Sequence, residues 1–267
     1  MLEENGYSVK GCRIIYAPNG QAGEYAKLAT NPFRGCGHGC VYCYVPAVIK
    51  MARVDFDAGA MPKLNFLDRL VADAKKYQAH GITEQVMLSF TTDPYNHDDV
   101  KDGLTRKVLK ALHRHGLGFC TLTKGGARAL RDIDLFDPKR DAFASTLTTL
   151  HPDQSREWEP NAALPADRMA TLKKFHDAGV FTWVSFEPVY DTEMTIALIK
   201  ETAPYVDLFK IGRINYHRIT REIDWRKFLE SVLKAVNALK KNHYIKLDLQ
   251  PYLPRGYKNP RYIRQTR

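Results

Sequence analysis

No run of this sequence stays apolar for anything near the roughly 20 residues that a membrane-spanning helix needs, so no membrane association is expected. The first residues, MLEENGYSVKGCR, lack the apolar core of a secretion signal, and the cytoplasm is the expected compartment. Cysteine is scarce and odd in number, five in 267 residues, which argues against a disulfide framework as the source of stability. Low-complexity linkers are missing too. The expectation is one folded unit over residues 27–250, an N-terminal extension over 1–26 and a Pro-containing basic tail over 251–267. Acidic residues are outnumbered, 30 against 40 Lys and Arg, for a formal charge of +10. Such a surplus favours anionic ligands, of which nucleic acid is the commonest. Half of it, Arg255, Lys258, Arg261, Arg264 and Arg267, lies in residues 252–267, which hold no acid. Core material is not lacking. Apolar residues make up 44% of the chain, which excludes wholesale disorder, and the length suits a single α/β barrel of about 250 residues.

The most informative pattern is a recurring helix–glycine–strand junction. Gln78-Ala79-His80-Gly81 precedes an apolar run through Val86, Met87, Leu88 and Phe90. His113-Arg114-His115-Gly116 precedes Leu117 to Leu122, and His176-Asp177-Ala178-Gly179 precedes Val180 to Phe186. Glycine just past a helix takes the left-handed cap without a Cβ clash. The intervals, 35 residues from Gly81 to Gly116 and 63 from Gly116 to Gly179, match one and about two βα units. Strands are expected at 85–91, 118–123, 142–148, 180–186, 206–211 and 245–250. Amphipathic helices are expected near 64–80, 104–115, 127–136, 166–178, 193–203 and 225–240. The strand runs are short and apolar, as befits strands buried on both faces. This alternation predicts an α/β fold: a partial TIM-like (βα)6 barrel, parallel strands inside and helices outside, with its active site at the C-terminal strand ends.

The chemistry announces itself at Asn31-Pro-Phe-Arg-Gly-Cys36-Gly-His-Gly-Cys40-Val-Tyr-Cys43-Tyr44. Three thiols sit within eight residues, spaced by three residues and then two. Gly35, Gly37 and Gly39 let the backbone wrap tightly around something compact. Three thiolates in one loop suit a soft metal centre. Two readings fit the donor set: a 4Fe–4S cluster with three protein ligands and one open iron, or zinc held by Cys36, Cys40, Cys43 and His38.

At these residues the sequence resembles the radical S-adenosylmethionine (radical SAM) superfamily and, within it, the spore photoproduct lyase-like family. The likeness continues through Thr92-Asp93-Pro94-Tyr95, Leu122-Thr123-Lys124, Arg131-Asp132, Ser145 to Thr149, Glu159-Pro160 and Arg168, covering roughly residues 28–215. The resemblance implies that Cys36, Cys40 and Cys43 hold a 4Fe–4S cluster whose open iron binds S-adenosylmethionine. Reductive cleavage would then give methionine and a 5′-deoxyadenosyl radical that takes a hydrogen from the substrate. It implies a reductase or a flavodoxin-type protein as electron donor. By resemblance, Thr92 and Asp93 face the methionine end of the cofactor, Lys124 pairs with its carboxylate and Ser145 hydrogen-bonds it. Val184 and Tyr42 are expected near the adenine through their backbones, and Glu187 at the ribose or the substrate.

Several of these residues also have plain structural readings: Asp93-Pro94 as a turn, Lys124 as a loop lysine, the threonines beside Ser145 as strand formers. Lys210 and Arg213 could meet an anionic substrate or be surface charge. Spore photoproduct lyase uses a cysteine outside the cluster as hydrogen donor, whereas this sequence has Phe90 near that position, with no thiol to donate. Cys120 is the candidate substitute; strand alternation puts it on one face with Lys124. The tail interleaves Tyr252, Tyr257 and Tyr262 with its cations, a pattern suited to a nucleic-acid backbone and its bases. Three functions follow: a radical SAM enzyme acting on nucleic acid, one acting on a peptide or small metabolite, or a non-catalytic metal-containing nucleic-acid-binding protein.

Overall fold

The computed structural model describes residues 1–99, 103–215 and 217–259. The first strand, β1 (Leu28–Thr30), is followed by an antiparallel hairpin of β2 (Phe33–Arg34) and β3 (Met61–Pro62). The remaining strands are β4 (Val86–Leu88), β5 (Phe119–Thr123), β6 (Ala142–Thr146), β7 (Phe181–Val189), β8 (Leu208–Arg213) and β9 (Asn242–Ile245). Apart from the hairpin they form one parallel sheet in the order β1-β4-β5-β6-β7-β8-β9. The expected incomplete barrel is therefore present, with a seventh strand, β1, that the sequence reading did not anticipate. Three residues are too few to show a period. The last strand also begins earlier than expected, at Asn242, because the chain turns after Lys246.

Short helices α1 (Val45–Val48) and α2 (Arg53–Asp57) follow the cysteine loop. The outer layer is α3 (Phe66–Ala79), α4 (Leu104–Arg114), α6 (Pro165–Asp177), α7 (Thr192–Thr202) and α8 (Trp225–Ala238), while the short α5 (Pro152–Trp158) ends against the cysteine loop. The expected helix at 127–136 is a 3-10 segment, Gly126–Leu135. Periodicity explains the packing of α4: Leu104, Val108, Leu109 and Leu112 face inward while Lys107, Lys110 and Arg114 stay in water. Gly81, Gly116 and Gly179 all take the positive φ that the junction pattern demanded.

Strand alternation creates two cores. Leu88, Phe119, Phe143, Val184, Phe209 and Ile211 pack outward against the helices. Ala29, Met87, Cys120, Ala142, Ala144, Trp183 and Leu208 form a second cluster inside the curve of the sheet. The N-terminal residues run along the seam between the edge strands β1 and β9. Tyr16 makes an antiparallel bridge to Ala29 on β1. The Glu24 carboxylate accepts hydrogen bonds from the Tyr244 hydroxyl at 3.0 Å and the Leu247 N–H at 2.6 Å, beyond β9. Among the described residues, no helix is long and apolar enough to cross a membrane.

Candidate functional site

The cysteine loop connects β2 to α1 at the end of the sheet where the parallel strands finish. Its shape is fixed by backbone contacts from four directions. The Cys36 N–H donates to Phe56 O at 2.8 Å, Val41 N–H to Trp158 O at 3.0 Å and Asn161 N–H to His38 O at 3.1 Å. The Thr92 hydroxyl donates to Gly35 O at 2.7 Å, and Arg53 donates to Cys40 O at 2.6 Å. Gly35 has φ +86°, and a Cβ there would collide with the Gly59 carbonyl oxygen. Burial pushes the Cys36 and Cys40 thiols up to about 12, and the Cys36 thiol also senses both other cysteines.

Around the loop stand the polar groups expected from the sequence. Asp93 is 7% exposed and its carboxylate is fully engaged. It accepts from the Thr123 hydroxyl at 2.6 Å, Lys124 N–H at 2.7 Å and Tyr95 N–H at 2.8 Å. Burial alone would raise its pKa; His38 and these donors outweigh burial and lower it. Asp93 thus ties the loop after β4 to the end of β5, where Lys124 emerges. The Lys124 ammonium lies 5.5 Å from the centre of the Tyr42 ring. Burial opposes its charge, but Cys40 and Glu159 overcome burial and hold it protonated. The Tyr42 hydroxyl donates to Glu159, whose other oxygen is 2.6 Å from the Arg168 guanidinium. This pair is fully buried and supports the loop from beneath.

His38 is 2% exposed, and Arg128, which can only donate, reaches its Nε2 at 3.0 Å. Nε2 therefore accepts, and the proton sits on Nδ1, 3.5 Å from Asp93. Burial, offset only in part by Asp93, lowers the imidazole to about 4, so the ring is neutral. Both nitrogens are committed, which disfavours His38 as the fourth zinc ligand. Among the described residues no three His, Cys, Asp or Glu side chains converge on one ion position. A cubane does not require such convergence, because each thiol bonds a different iron. The donor set and the glycine-cleared loop fit an iron–sulfur centre.

The remaining sequence candidates are distributed differently. Ser145 is buried in β6, its hydroxyl donating to Thr123 O at 2.8 Å, and it pairs in register with Val184. Both lie on strand positions whose neighbours Phe143 and Phe186 pack against the helices, so any approach to the mouth is through their backbones. Glu187 points into the curve of the sheet, ion-paired to Lys246 at 2.6 Å and hydrogen-bonded by the Tyr25 hydroxyl. Cys120 does share a face with Lys124, but four residues of strand place it about 13 Å deeper. There its sulfur accepts from the Trp183 indole at 3.2 Å. Phe90 is half-buried beside Tyr25, with ring centroids 6.0 Å apart. Lys210 is buried at the floor, and Arg213 lies 3.7 Å from Asp248. Arg261, Tyr262, Arg264 and Arg267 lie outside the described residues.

Sequence reasoning missed Tyr25 and Lys246, the partners of Glu187. A signal existed for Lys246: with Asp248 it interrupts the apolar run 245–249 at alternate positions. Gly212 is part of the same arrangement, since a Cβ there would lie 2.8 Å from the Glu187 carboxylate carbon.

A radical SAM superfamily family model matches residues 30–206. The chain therefore belongs to the radical SAM superfamily. Membership implies S-adenosylmethionine and an iron–sulfur centre. An uncharacterized protein of Mycobacterium tuberculosis is 27% identical over 180 residues, 64% of this chain and 52% of that protein. The chain thus spans about half the length of this curated relative. In structure, it matches a spore photoproduct lyase variant with bound AdoMet and dinucleoside spore photoproduct at a TM-score of 0.67 and 15% identity, over 88% of this chain and 79% of that one. It also matches Streptococcus suis SuiB bound to S-adenosylmethionine at a TM-score of 0.62 and 14% identity, over 82% of this chain and 49% of that one. These likenesses are likenesses of fold.

Proposed function

We propose that this chain is a radical SAM enzyme in which Cys36, Cys40 and Cys43 hold a 4Fe–4S cluster and the mouth of the barrel holds S-adenosylmethionine. When bound and reduced, the cluster supplies the electron that cleaves the cofactor to methionine and a 5′-deoxyadenosyl radical. The observation that carries the reading is the convergence of the three-cysteine loop, Asp93 and the charged, half-buried Lys124 at the C-terminal end of one parallel sheet. Lys124 supplies a fixed cation for the cofactor carboxylate. Glu159 and Arg168 hold Tyr42, and through it one wall of the loop. Asp93 locks the β4 and β5 ends together, so these groups are set before a ligand arrives. Glu187 presents a carboxylate inside the barrel to ribose or substrate hydroxyls. The N-terminal segment, contacting both edge strands, would help keep water from a reactive radical.

For the substrate we favour nucleic acid. The charge of +10 supports it, as does the greater share of the spore photoproduct lyase chain that is matched, 79% against 49% for SuiB. Phe90 and the depth of Cys120 argue against a thiol hydrogen donor near the radical, so the reaction proposed is hydrogen abstraction from nucleic acid without a cysteine relay. A product screen of reactions with and without oligonucleotide separates this from a peptide or metabolite substrate.

The test is anaerobic reconstitution with iron and sulfide, then dithionite and S-adenosylmethionine. The expected result is a cluster spectrum, iron bound by the wild type and lost in Cys40→Ala, and 5′-deoxyadenosine that requires all three cysteines. Lys124→Met should keep the iron and lose at least tenfold in cofactor affinity. Full iron content in Cys40→Ala would overturn the assignment of the loop.

A further inference from the structure

The apolar side chains that stand out from this protein are not scattered. Ten large hydrophobic residues are exposed among those described, and six of them, Val41, Tyr44, Val48, Val54, Met61 and Leu64, fall within residues 41–64. Beyond the cysteine loop this stretch ends in the β2–β3 hairpin, where Arg34 pairs in register with Met61. The Lys63 N–H donates to Pro32 O at 3.0 Å, which fixes Lys63 and Leu64 beside the hairpin. Arg69 joins them from the first turn of α3. Partial burial, then the guanidinium groups of Arg34 and Arg69, lower the Lys63 ammonium, so the three cations lie in one another's field. All three are exposed. No ion pair joins any of them to a carboxylate among the described residues.

Three neighbouring cations without an ion-pair partner among the described residues repel one another and favour an acidic partner, although Asp68 lies in the same turn as Arg69. Leu64 is 83% exposed and Met61 60%, and Met61 pairs in register with Arg34 while Leu64 follows Lys63, so exposed apolar and cationic side chains share this segment. Exposed apolar side chains interspersed with cations suit a small transient protein interface. A phosphate backbone would match the cations but offers nothing to Met61 and Leu64. The surface is also close to the thiols: Arg34 is two residues from Cys36, at most about 7 Å along the chain.

We propose that the β2–β3 hairpin and the first turn of α3 form the docking surface for an acidic one-electron carrier protein of the flavodoxin type. The proposal rests on the function proposed above, because the cofactor chemistry consumes one electron per cleavage. At each encounter the carrier is oxidised by one electron and the iron–sulfur centre is reduced by one, and no atom changes hands. Charge complementarity brings the carrier in quickly, and screening by salt keeps the contact weak enough to be transient.

The experiment titrates the reconstituted protein with an acidic flavodoxin at low and high salt, comparing wild type with Lys63→Glu/Arg69→Glu and with Leu64→Ser. Wild-type affinity should weaken as salt rises. The double charge reversal should lose at least tenfold, and Leu64→Ser severalfold. In parallel, flavodoxin-driven 5′-deoxyadenosine formation by the double variant should fall at least tenfold while dithionite-driven formation equals wild type. Unchanged flavodoxin binding by the double variant overturns the proposal. So does loss of single-stranded DNA binding with flavodoxin binding intact. If the charge reversal fails to fold, Lys63→Gln/Arg69→Gln and the wild-type salt dependence decide. Absence of dithionite-driven product in the wild type would strike at the proposed function instead, while the binding titration still judges the surface.

Discussion

Arg168 shows most plainly how single residues support the site. Its side chain is 1% exposed, and it neutralises a Glu159 side chain that is 0% exposed. Its Nε also donates to Ala163 O at 2.6 Å. Burial would raise the Glu159 carboxyl; Arg168, Lys124 and Tyr42 together outweigh burial and lower it. Ionised Glu159 therefore contributes stability above the unfolded carboxyl value of about 4.3. That contribution is lost as pH falls through the lower folded value. Arg168→Met removes the largest counter-charge and leaves the buried carboxylate with only Lys124 and the Tyr42 hydroxyl to support it, a loss of up to about 3–5 kcal/mol. The urea midpoint should drop accordingly, and acid unfolding should begin at higher pH than in wild type. Equal acid profiles would mean that Glu159 finds another partner. Cys36, Cys40, Cys43, Asp93 and Lys124 were legible as candidates because their signals are local: a spacing, or a polar residue shortly after an apolar strand run. Tyr25 was not, because its partner Glu187 is 162 positions away, and nothing within a sequence window encodes that.

Elements follow the same division. Those whose period spans several turns, α3, α4, α6 and α8, were readable to within a few residues, and so were strands bracketed by Gly caps. The three-residue β1, the short α1 and α2, and α5 carry too few residues to display a period. How the expected N-terminal extension docks was less legible, since its contacts, backbone amides and single side chains alike, follow no period. One oxygen of Asp73, on α3, accepts from three successive amides: Arg13 at 2.9 Å, Ile14 at 2.7 Å and Ile15 at 3.2 Å. That single carboxylate docks the segment leading into the Tyr16–Ala29 bridge. Asp73→Ala should strip those amides of their acceptor at a cost of about 1–3 kcal/mol. Hydrogen exchange should rise at Arg13 to Ile15 before it rises in β5 or β6. Uniformly accelerated exchange across the sheet would instead show that the segment and the sheet open together.

The whole molecule is an open barrel sealed by its own N-terminal segment, and Lys210 is where the seal is made. Its ammonium donates to Tyr25 O at 2.9 Å and Glu24 O at 3.4 Å, and it lies 4.5 Å from the Trp183 ring centre. Burial, with Lys246 adding to it and Cys120 and Glu24 opposing, lowers this lysine to about 7. The unfolded chain holds that proton to about 10.4. Between those values the unfolded state binds more protons than the folded one, so stability rises with pH, by at most about 1.4 kcal/mol per unit for one group. Below pH 7 the lysine is charged in both states, and the folded protein carries the full cost of burying it. Lys210→Met removes the charge and the pH term together, though it also removes the hydrogen bonds to Tyr25 O and Glu24 O. Thermal melting of both proteins from pH 6 to 10 separates these effects. The wild type should gain stability relative to Lys210→Met as pH climbs, whereas a constant offset would leave only the lost hydrogen bonds to explain. A buried cation at the floor of the barrel then has a physical rationale. It holds Glu24 and Tyr25 across the seam, and so keeps Tyr25 under Glu187 at the level where the substrate would sit.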